Sequence, residues 1–393
     1  MERRQNVVVL GATGSVGASA LQVVARHEER YRVLALTANR SAAKLLALAR
    51  VHRPRYAILA EGNADSATRR ELANLGTELL VGAQSLVRIA EDAECDVVVA
   101  AIVGCAGLPA TLAAVRAGKT VLIANKEVLV AAGQLVMPCA RESGARLLPI
   151  DSEHSGVSQC WADQGVSRIV LTASGGPFLS TPLDRLERVT PDEACAHPTW
   201  AMGRKISVDS ATMMNKALEV IEAHWLFGLP ADRIDVLVHP QSIVHALVEY
   251  DDGSVIAQMA VPDMRIPIAA ALAHPGRVES GARRLDLASV GRLAFERPDP
   301  ERFPCLRLGY RALALGGTAP AILNAANEVA VQAFLDGEMP FRAIAQVVRE
   351  VLESTPAGRG ETLEEVLDAD RGARARTRAE IRRTVGAGRV PIA

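Results

Sequence analysis

Asp151 and Glu153 stand one residue apart, directly after the apolar run 147–150. In extended chain, side chains at i and i+2 leave the same face. Two carboxylates side by side repel, so such a pair either faces water or shares a cation. Oxygen donors suit a hard divalent ion, Mg²⁺ or Mn²⁺, better than zinc. A second group follows at 210–227, where the pattern predicts one helix. On it Asn215, Lys216 and Glu219 share a face through i,i+4 and i,i+3 spacings, bringing an amide, an ammonium and a carboxylate together. Val208, Ala211, Met213, Met214, Ala217 and Leu218 make most of this stretch apolar, so its polar groups are expected to line a pocket. Trp200 and Met202 lie just ahead in a loop bracketed by Pro198 and Gly203, a segment suited to closing over a site and excluding water. Each feature also has a plainer reading: a solvated strand end, a surface ion pair or a core tryptophan.

A third group sits near the N-terminus. Gly11-Ala12-Thr13-Gly14-Ser15-Val16-Gly17 follows the apolar run 7–10 and opens a helical pattern. Phosphate is held by backbone N–H groups at a helix start, and glycine lets the backbone approach closely. The spacing is GxxGxxG, with Thr13 where the middle glycine of the commoner fingerprint stands, and its place between strand and helix points to a dinucleotide. An NAD site places an acid at the end of the second strand to accept the ribose 2′-hydroxyl. Here that segment reads Thr37-Ala38-Asn39-Arg40-Ser41, without a carboxylate. Arg40, with Asn39 and Ser41, is instead suited to a 2′-phosphate, so NADP is expected over NAD. The plain alternative for Arg40 is an exposed residue at a helix start.

These groups need a scaffold. Over the first 125 residues strand, turn and helix repeat: strands at 7–10, 32–37, 56–60, 97–103 and 120–124, helices at 15–26 and from Ser41. The strands do not alternate in polarity, which means burial on both faces in a parallel, doubly wound α/β sheet. From about Leu147 strand-like runs at 147–150, 168–171, 235–238, 243–249 and 254–259 surround the helix at 210–227, with a hairpin signal at 250–253. That texture predicts a second α/β domain with a mixed sheet. Beyond Cys305 the pattern is helical, broken at 316–317, 336–337 and 356–360. The expected organisation is a Rossmann-like dinucleotide-binding domain at 1–150, a catalytic domain at 151–275 with its lid at 197–207, a connector at 276–304 and a helical bundle at 305–393.

Composition excludes some classes of function. Lys and Arg number 44 against 45 Asp and Glu, a formal charge of −1, and aromatics are 3%. A protein that coats nucleic acid or an anionic membrane is not expected from that balance. The six cysteines are scattered without a CxxC pair, which reads as buried thiols in a reducing compartment. The uncharged stretch 97–115 contains Gly104, Gly107 and Pro109, so it reads as a buried strand, a turn and an Ala-rich helix rather than a membrane span. The N-terminal residues show no leader pattern. The basic residues Arg371 to Arg383, preceded by the acidic stretch 361–370, read as one solvated helical surface.

Five blocks carry a resemblance to a known family. DSEH at 151–154, SGGPF at 174–178, HPTWAMGRKISVDSATMMNKALE at 197–219, HPQSIVH at 239–245 and NAANEVA at 324–330 resemble the 1-deoxy-D-xylulose 5-phosphate reductoisomerases, along essentially the whole chain. The resemblance implies a cytoplasmic or plastidial homodimer. It would turn 1-deoxy-D-xylulose 5-phosphate and NADPH into 2-C-methyl-D-erythritol 4-phosphate and NADP⁺ in non-mevalonate isoprenoid synthesis. The implied chemistry is a metal-assisted retro-aldol and aldol rearrangement, then hydride reduction of the branched aldehyde. Carried over by position, Asp151, Glu153 and Glu219 would hold the Mg²⁺ or Mn²⁺ ion. Thr13, Gly14, Ser15, Val16, Asn39, Arg40, Ser41, Asn125, Glu127 and Gly203 would meet NADPH. Lys126, Ser152, Glu153, Ser174, His197, Ser210, Asn215, Lys216 and Glu219 would meet the substrate, with Ser174, Ser210, Asn215 and Lys216 around its phosphate. Lys126 and His197 join the three acids as catalytic residues, and Lys126, Lys205, Lys216, Arg40 and Arg204 are the cations expected to draw in two multiply charged ligands. Two positions depart from the family pattern: Ala12 where Ser is frequent, and Ala-Asn-Arg-Ser at 38–41 where Ala-Gly-Lys-Asn occurs. Two other readings are an NADP-dependent dehydrogenase without rearrangement, which would need no acidic triad, and a non-catalytic NADPH sensor.

Overall fold

The computed structural model describes residues 3–200 and 202–387. They fall into two compact units: the chain up to Val128 with Val136–Ser158 and Asp263–Arg284, and Leu129–Leu135 with Gln159–Pro262 and the chain from Leu285 onward.

Up to Cys160 strands and helices alternate as β1 (Gln5–Leu10), α1 (Ser15–Arg26), β2 (Tyr31–Ala38), α2 (Ala42–His52), β3 (Tyr56–Leu59), α3 (Ser66–Asn74), β4 (Glu78–Val81), α4 (Ala83–Ala90), β5 (Val97–Ala100), α5 (Leu108–Arg116), β6 (Thr120–Ile123), α6 (Lys126–Ser143), β7 (Arg146–Pro149) and α7 (Ser152–Cys160). The seven strands form one parallel sheet in the order β4-β3-β2-β1-β5-β6-β7. Val7 to Leu10 and Val97 to Ala100 are buried, as expected for a sheet covered on both faces. The strand order reverses between β1 and β5, the place where open α/β sheets take ligands at their carboxyl ends.

Three details differ from the sequence reading. The run 147–150, grouped there with the second sheet, is β7 and pairs with β6; four apolar residues do not say which neighbour they will find. β4 carries no strong pattern, because it is a short edge strand with no fully buried side chain. β5 stops at Ala100 rather than reaching 103, because the chain there passes under the glycine turn after β1.

The second unit holds β8 (Val166–Ala173), α8 (Pro191–Cys195), α9 (Arg204–Thr212), α10 (Met214–Phe227), β9 (Ile234–Val238), β10 (Val244–Tyr250) and β11 (Val255–Met259). Their sheet runs β11-β10-β8-β9, with β8 and β9 parallel and the other pairs antiparallel. The 250–253 turn joins β10 to β11 through Gly253 at φ +84°. The segment α11 (Arg265–Ala273) returns to the first unit, where Tyr31 Oη donates to Leu272 O at 2.9 Å. After the short α12 (Leu287–Val290) come α13 (Pro304–Leu315), α14 (Ala319–Leu335), α15 (Ala343–Ser354) and α16 (Leu363–Ala387), interrupted at the three expected breaks.

These helices do not stand apart from the mixed sheet's unit. Ile322 and Leu323 of α14 share one core with Ala217, Leu218 and Ile221 of α10. The compact units therefore cut across the linear division at 150, 275 and 304. On α16 the basic residues meet acids, Arg374 with Asp370 and Glu328, Arg383 with Glu380, in keeping with a charge-paired helix surface. The stretch 97–115 is strand, turn and helix, and no helix among the described residues is long and apolar enough to cross a membrane. Burial pushes the thiols of Cys95 and Cys305 up to about 12, so neither is a thiolate near neutral pH.

Gly11 fixes how β1 turns into α1. It sits at φ +81°, and a Cβ there would come 2.5 Å from Ala101 O. Its N–H donates to Thr37 Oγ1 at 2.8 Å, and Ala12 N–H to Thr37 O at 2.9 Å, tying the turn to the end of β2. Gly11→Ala should lower stability by about 1–3 kcal/mol through strain and the clash. Thermal unfolding of the two proteins checks this, and equal midpoints would disprove the steric account.

Candidate functional site

The glycine turn after β1, the end of β2 and the starts of α6 and α7 belong to the first unit. Gly14 is the N-cap of α1, in extended backbone and without a side-chain cap, and no acid stands in the first turn. The N–H groups of that turn therefore face outward with the helix dipole behind them, beside Thr13, Ser15 and Val16. Asn39 and Arg40 are exposed at the end of β2, and Ser41 is the N-cap of α2 without a side-chain cap bond. Arg40 is already engaged: its Nε donates to Glu61 Oε2 at 2.8 Å and its Nη2 to the same oxygen at 2.5 Å.

At the end of β6, Asn125 is buried and begins α6. Its Nδ2 donates to Gly104 O at 2.9 Å and to Ile102 O, while Oδ1 is buried with no hydrogen-bond partner, an acceptor waiting for a donor. Glu127, also buried, is in the first turn of α6. Lys126 is the first residue of that helix, and its Nζ lies 2.5 Å from Asp151 Oδ2, both side chains largely shielded from water.

Asp151 and Glu153 converge, but not by strand alternation. The chain leaves β7 and enters α7 at Ser152, with Ser155 N–H donating to Asp151 O at 2.9 Å. The carboxylates thus sit at a helix N-terminus, which favours negative charge, and carboxylate oxygens of the two residues lie within 4.8 Å of each other. Ser152 Oγ donates to Glu153 Oε2. Two carboxylates this close at a helix start form a hard-oxygen donor set that suits a divalent cation.

The remaining residues expected at the site belong to the second unit. The stretch expected as one helix is two: Met213, at φ +58°, ends α9 and begins α10. The break places Ser210 in the last turn of one helix while Asn215 and Lys216 open the next. On α10 the expected face is present. Asn215 Nδ2 donates to Glu219 Oε1 at 2.5 Å, and Lys216 Nζ pairs with Glu219 Oε2. Lys216 and Glu219 are buried, and a buried ion pair is weak evidence for stability, so a role in chemistry is the better account of it.

Ser174 follows β8. A Cβ on Gly176 would lie 2.8 Å from Ser210 O, so glycine lets the 174–176 turn lie against the end of α9, which sets Ser174 near Ser210. His197 Nδ1 accepts from Thr199 N–H at 3.2 Å and Trp200 N–H at 2.9 Å. The proton is therefore on Nε2, which donates to Ser174 Oγ at 2.9 Å. Gly176 N–H donates to the same oxygen at 3.1 Å. With both those contacts accepted, the Ser174 hydroxyl keeps its own proton to donate. In the expected lid, the Trp200 ring centroid lies 6.3 Å from that of His245, Gly203 is the extended N-cap of α9, and Ala201 lies outside the described residues.

Family sequence models match residues 7–133 (1-deoxy-D-xylulose 5-phosphate reductoisomerase), 147–227 (its C-terminal domain) and 259–376 (DXP reductoisomerase C-terminal domain). A reductoisomerase of that name from Ralstonia nicotianae is 57% identical over 382 residues, covering 95% of this chain and 97% of the relative. The chain belongs to the 1-deoxy-D-xylulose 5-phosphate reductoisomerase family. The Pseudomonas fluorescens member is 54% identical over 395 residues, covering 98% and 100%. A solved reductoisomerase in complex with NADPH, fosmidomycin and magnesium is similar with a TM-score of 0.93 at 44% identity, covering 96% of this chain and 98% of that one. The Zymomonas mobilis reductoisomerase in complex with NADPH is similar with a TM-score of 0.91 at 46% identity, covering 96% and 99%.

Sequence reasoning missed Glu61, 21 residues from its partner Arg40 and just past the end of β3, where no local pattern reveals the pairing. It also missed the role of Gly176, although two adjacent glycines after a strand were a usable signal of a tight turn.

Burial holds the His197 imidazole below the usual histidine range. Its neutral form therefore favours the folded state, and that contribution is complete above the unfolded value of about 6.5 and lost as pH falls below it. Protonation would also place N–H on the atom that accepts from Thr199 and Trp200. Between pH 7.5 and 5.5 the unfolding midpoint should fall further for the wild type than for His197→Asn. Parallel curves would refute the assignment.

Proposed function

We propose that the chain works as a reductoisomerase in which the glycine turn after β1 takes the dinucleotide, Lys126 serves the reacting oxygen, Asp151, Glu153 and Glu219 are the cation ligands, and Ser174, Ser210, Asn215 and Lys216 meet the substrate phosphate. The protein is an NADPH-dependent oxidoreductase that converts 1-deoxy-D-xylulose 5-phosphate into 2-C-methyl-D-erythritol 4-phosphate for isoprenoid synthesis. The observation that carries the site assignment is the acidic helix start, two carboxylates within 4.8 Å with Lys126 drawn in beside them.

The residues fit both absent groups: the uncapped start of α1 and the orphaned Asn125 Oδ1 suit a dinucleotide, and the oxygen donors suit Mg²⁺ or Mn²⁺. When bound, the cation supplies polarisation of the ketone and NADPH supplies the hydride. The chain does the rest. Asp151, Glu153 and Glu219 hold the cation. Lys126 Nζ offers its ammonium to the oxygen on which negative charge develops as the carbon skeleton rearranges and as hydride reaches the aldehyde carbon. The Ser174 hydroxyl donates a hydrogen bond to the substrate phosphate, and His197 keeps that hydroxyl oriented. Lys216 adds positive charge, Asn215 and Ser210 add hydrogen bonds, and the Trp200 loop excludes water. In this reading the enzyme is a cytoplasmic homodimer acting on a small phosphorylated ketose, with no nucleic-acid or membrane partner.

Mixed with 1-deoxy-D-xylulose 5-phosphate and Mg²⁺, the protein should oxidise NADPH, read as loss of nicotinamide absorbance, and a chelator should stop it. Glu219→Gln should cut turnover by at least about a hundredfold while NADPH affinity stays within a few fold. Turnover that survives either treatment would overturn the metal assignment.

A further inference from the structure

The end of β2 lacks the acid that an NAD site carries, yet the structure brings one in from the next strand. Hydrogen bonding between β2 and β3 runs past both strand ends: Ala60 N–H donates to Ala38 O and Glu61 N–H to Asn39 O, each at 2.9 Å. Glu61 is thus held by its backbone directly beside Asn39 and Arg40. Its Oε2 accepts from both Nε and Nη2 of Arg40, at 2.8 and 2.5 Å. One edge of the guanidinium fork is thereby occupied, and the local charge of the pair is zero. Both side chains are well exposed, 76% for Arg40 and 53% for Glu61, so the pair is held in water-rich surroundings and can be parted at little cost.

We propose that Glu61 is a specificity-determining residue that limits this chain's preference for NADPH over NADH. The inference rests on the assignment of Arg40 to the cofactor's 2′-phosphate. A 2′-phosphate arriving at Arg40 must displace the Glu61 carboxylate or share the guanidinium with it, and in either case it meets a like charge. A cofactor with a plain 2′-hydroxyl meets no such repulsion, and the carboxylate can accept a hydrogen bond from it as an acid at the end of β2 would. Glu61 so tempers a discrimination that Arg40 creates.

Titration of the substrate-free protein with NADPH and NADH, followed by nicotinamide fluorescence, tests this at several salt concentrations. Glu61→Gln should tighten NADPH about three- to tenfold, leave NADH unchanged or weaker, and steepen the salt dependence of NADPH binding, because the patch gains one net positive charge. Glu61→Asp, which keeps the charge, should retain the wild-type preference. NADPH affinity that is unchanged or weaker in Glu61→Gln, with the same salt slope, would overturn the proposal. Arg40→Ala separates the two assignments. If it weakens NADPH and NADH equally, the 2′-phosphate assignment itself fails; if it weakens NADPH selectively while Glu61→Gln has no effect, only the role of Glu61 fails.

Discussion

A carboxylate withdrawn from water needs a partner, and this constraint governs the surroundings of Asp151, Glu153 and Glu219. Glu219 has Lys216 and Asn215 on its own helix, Asp151 has Lys126, and Glu153 accepts from the neighbouring Ser152 hydroxyl at the start of α7. These partners hold each acid in place. Removing a partner would leave a shielded charge uncompensated. The αL break at Met213 and the abrupt passage from β7 into α7 are the backbone features that make these pairings possible.

The turn after β1 obeys a different constraint, the room needed by backbone. Gly11 lies so close to Ala101 that no side chain fits, and Thr37 fixes the turn from the other side. The start of α1 is left without a side-chain cap, which would weaken an ordinary helix but leaves its N–H groups for phosphate. The same economy explains Ser174: its oxygen accepts from His197 and Gly176, so its proton is left to donate.

The C-terminal helices serve the site through α9. Asn327 Nδ2 of α14 donates to the buried Asp209 Oδ1 at 2.8 Å, and Lys205 Nζ lies 2.8 Å from the other oxygen. The NAANEVA stretch therefore sits against the helix that carries Ser210, which accounts for bundle and mixed sheet forming one unit. A pattern of helices along the chain could not show this, because the apolar faces of α10 and α14 do not name each other as partners.

Much was legible in the residues alone. Polarity patterns located the parallel sheet, the hairpin and the helix breaks, since burial on both faces and glycine-rich turns are local properties; the long block from His197 to Glu219 placed the chain in its family, and the spacing of Asn215, Lys216 and Glu219 already implied one face. The rest depended on what the backbone does between motifs. Asp151 and Glu153 meet because a strand turns into a helix, α9 and α10 are separate because Met213 adopts a left-handed conformation, and Arg40 meets Glu61 because two strands pair beyond their ends. Sequence determined which groups this protein has and their local periodicity; only tertiary structure decided which charges face each other, since electrostatic partners are chosen by distance in space and not along the chain.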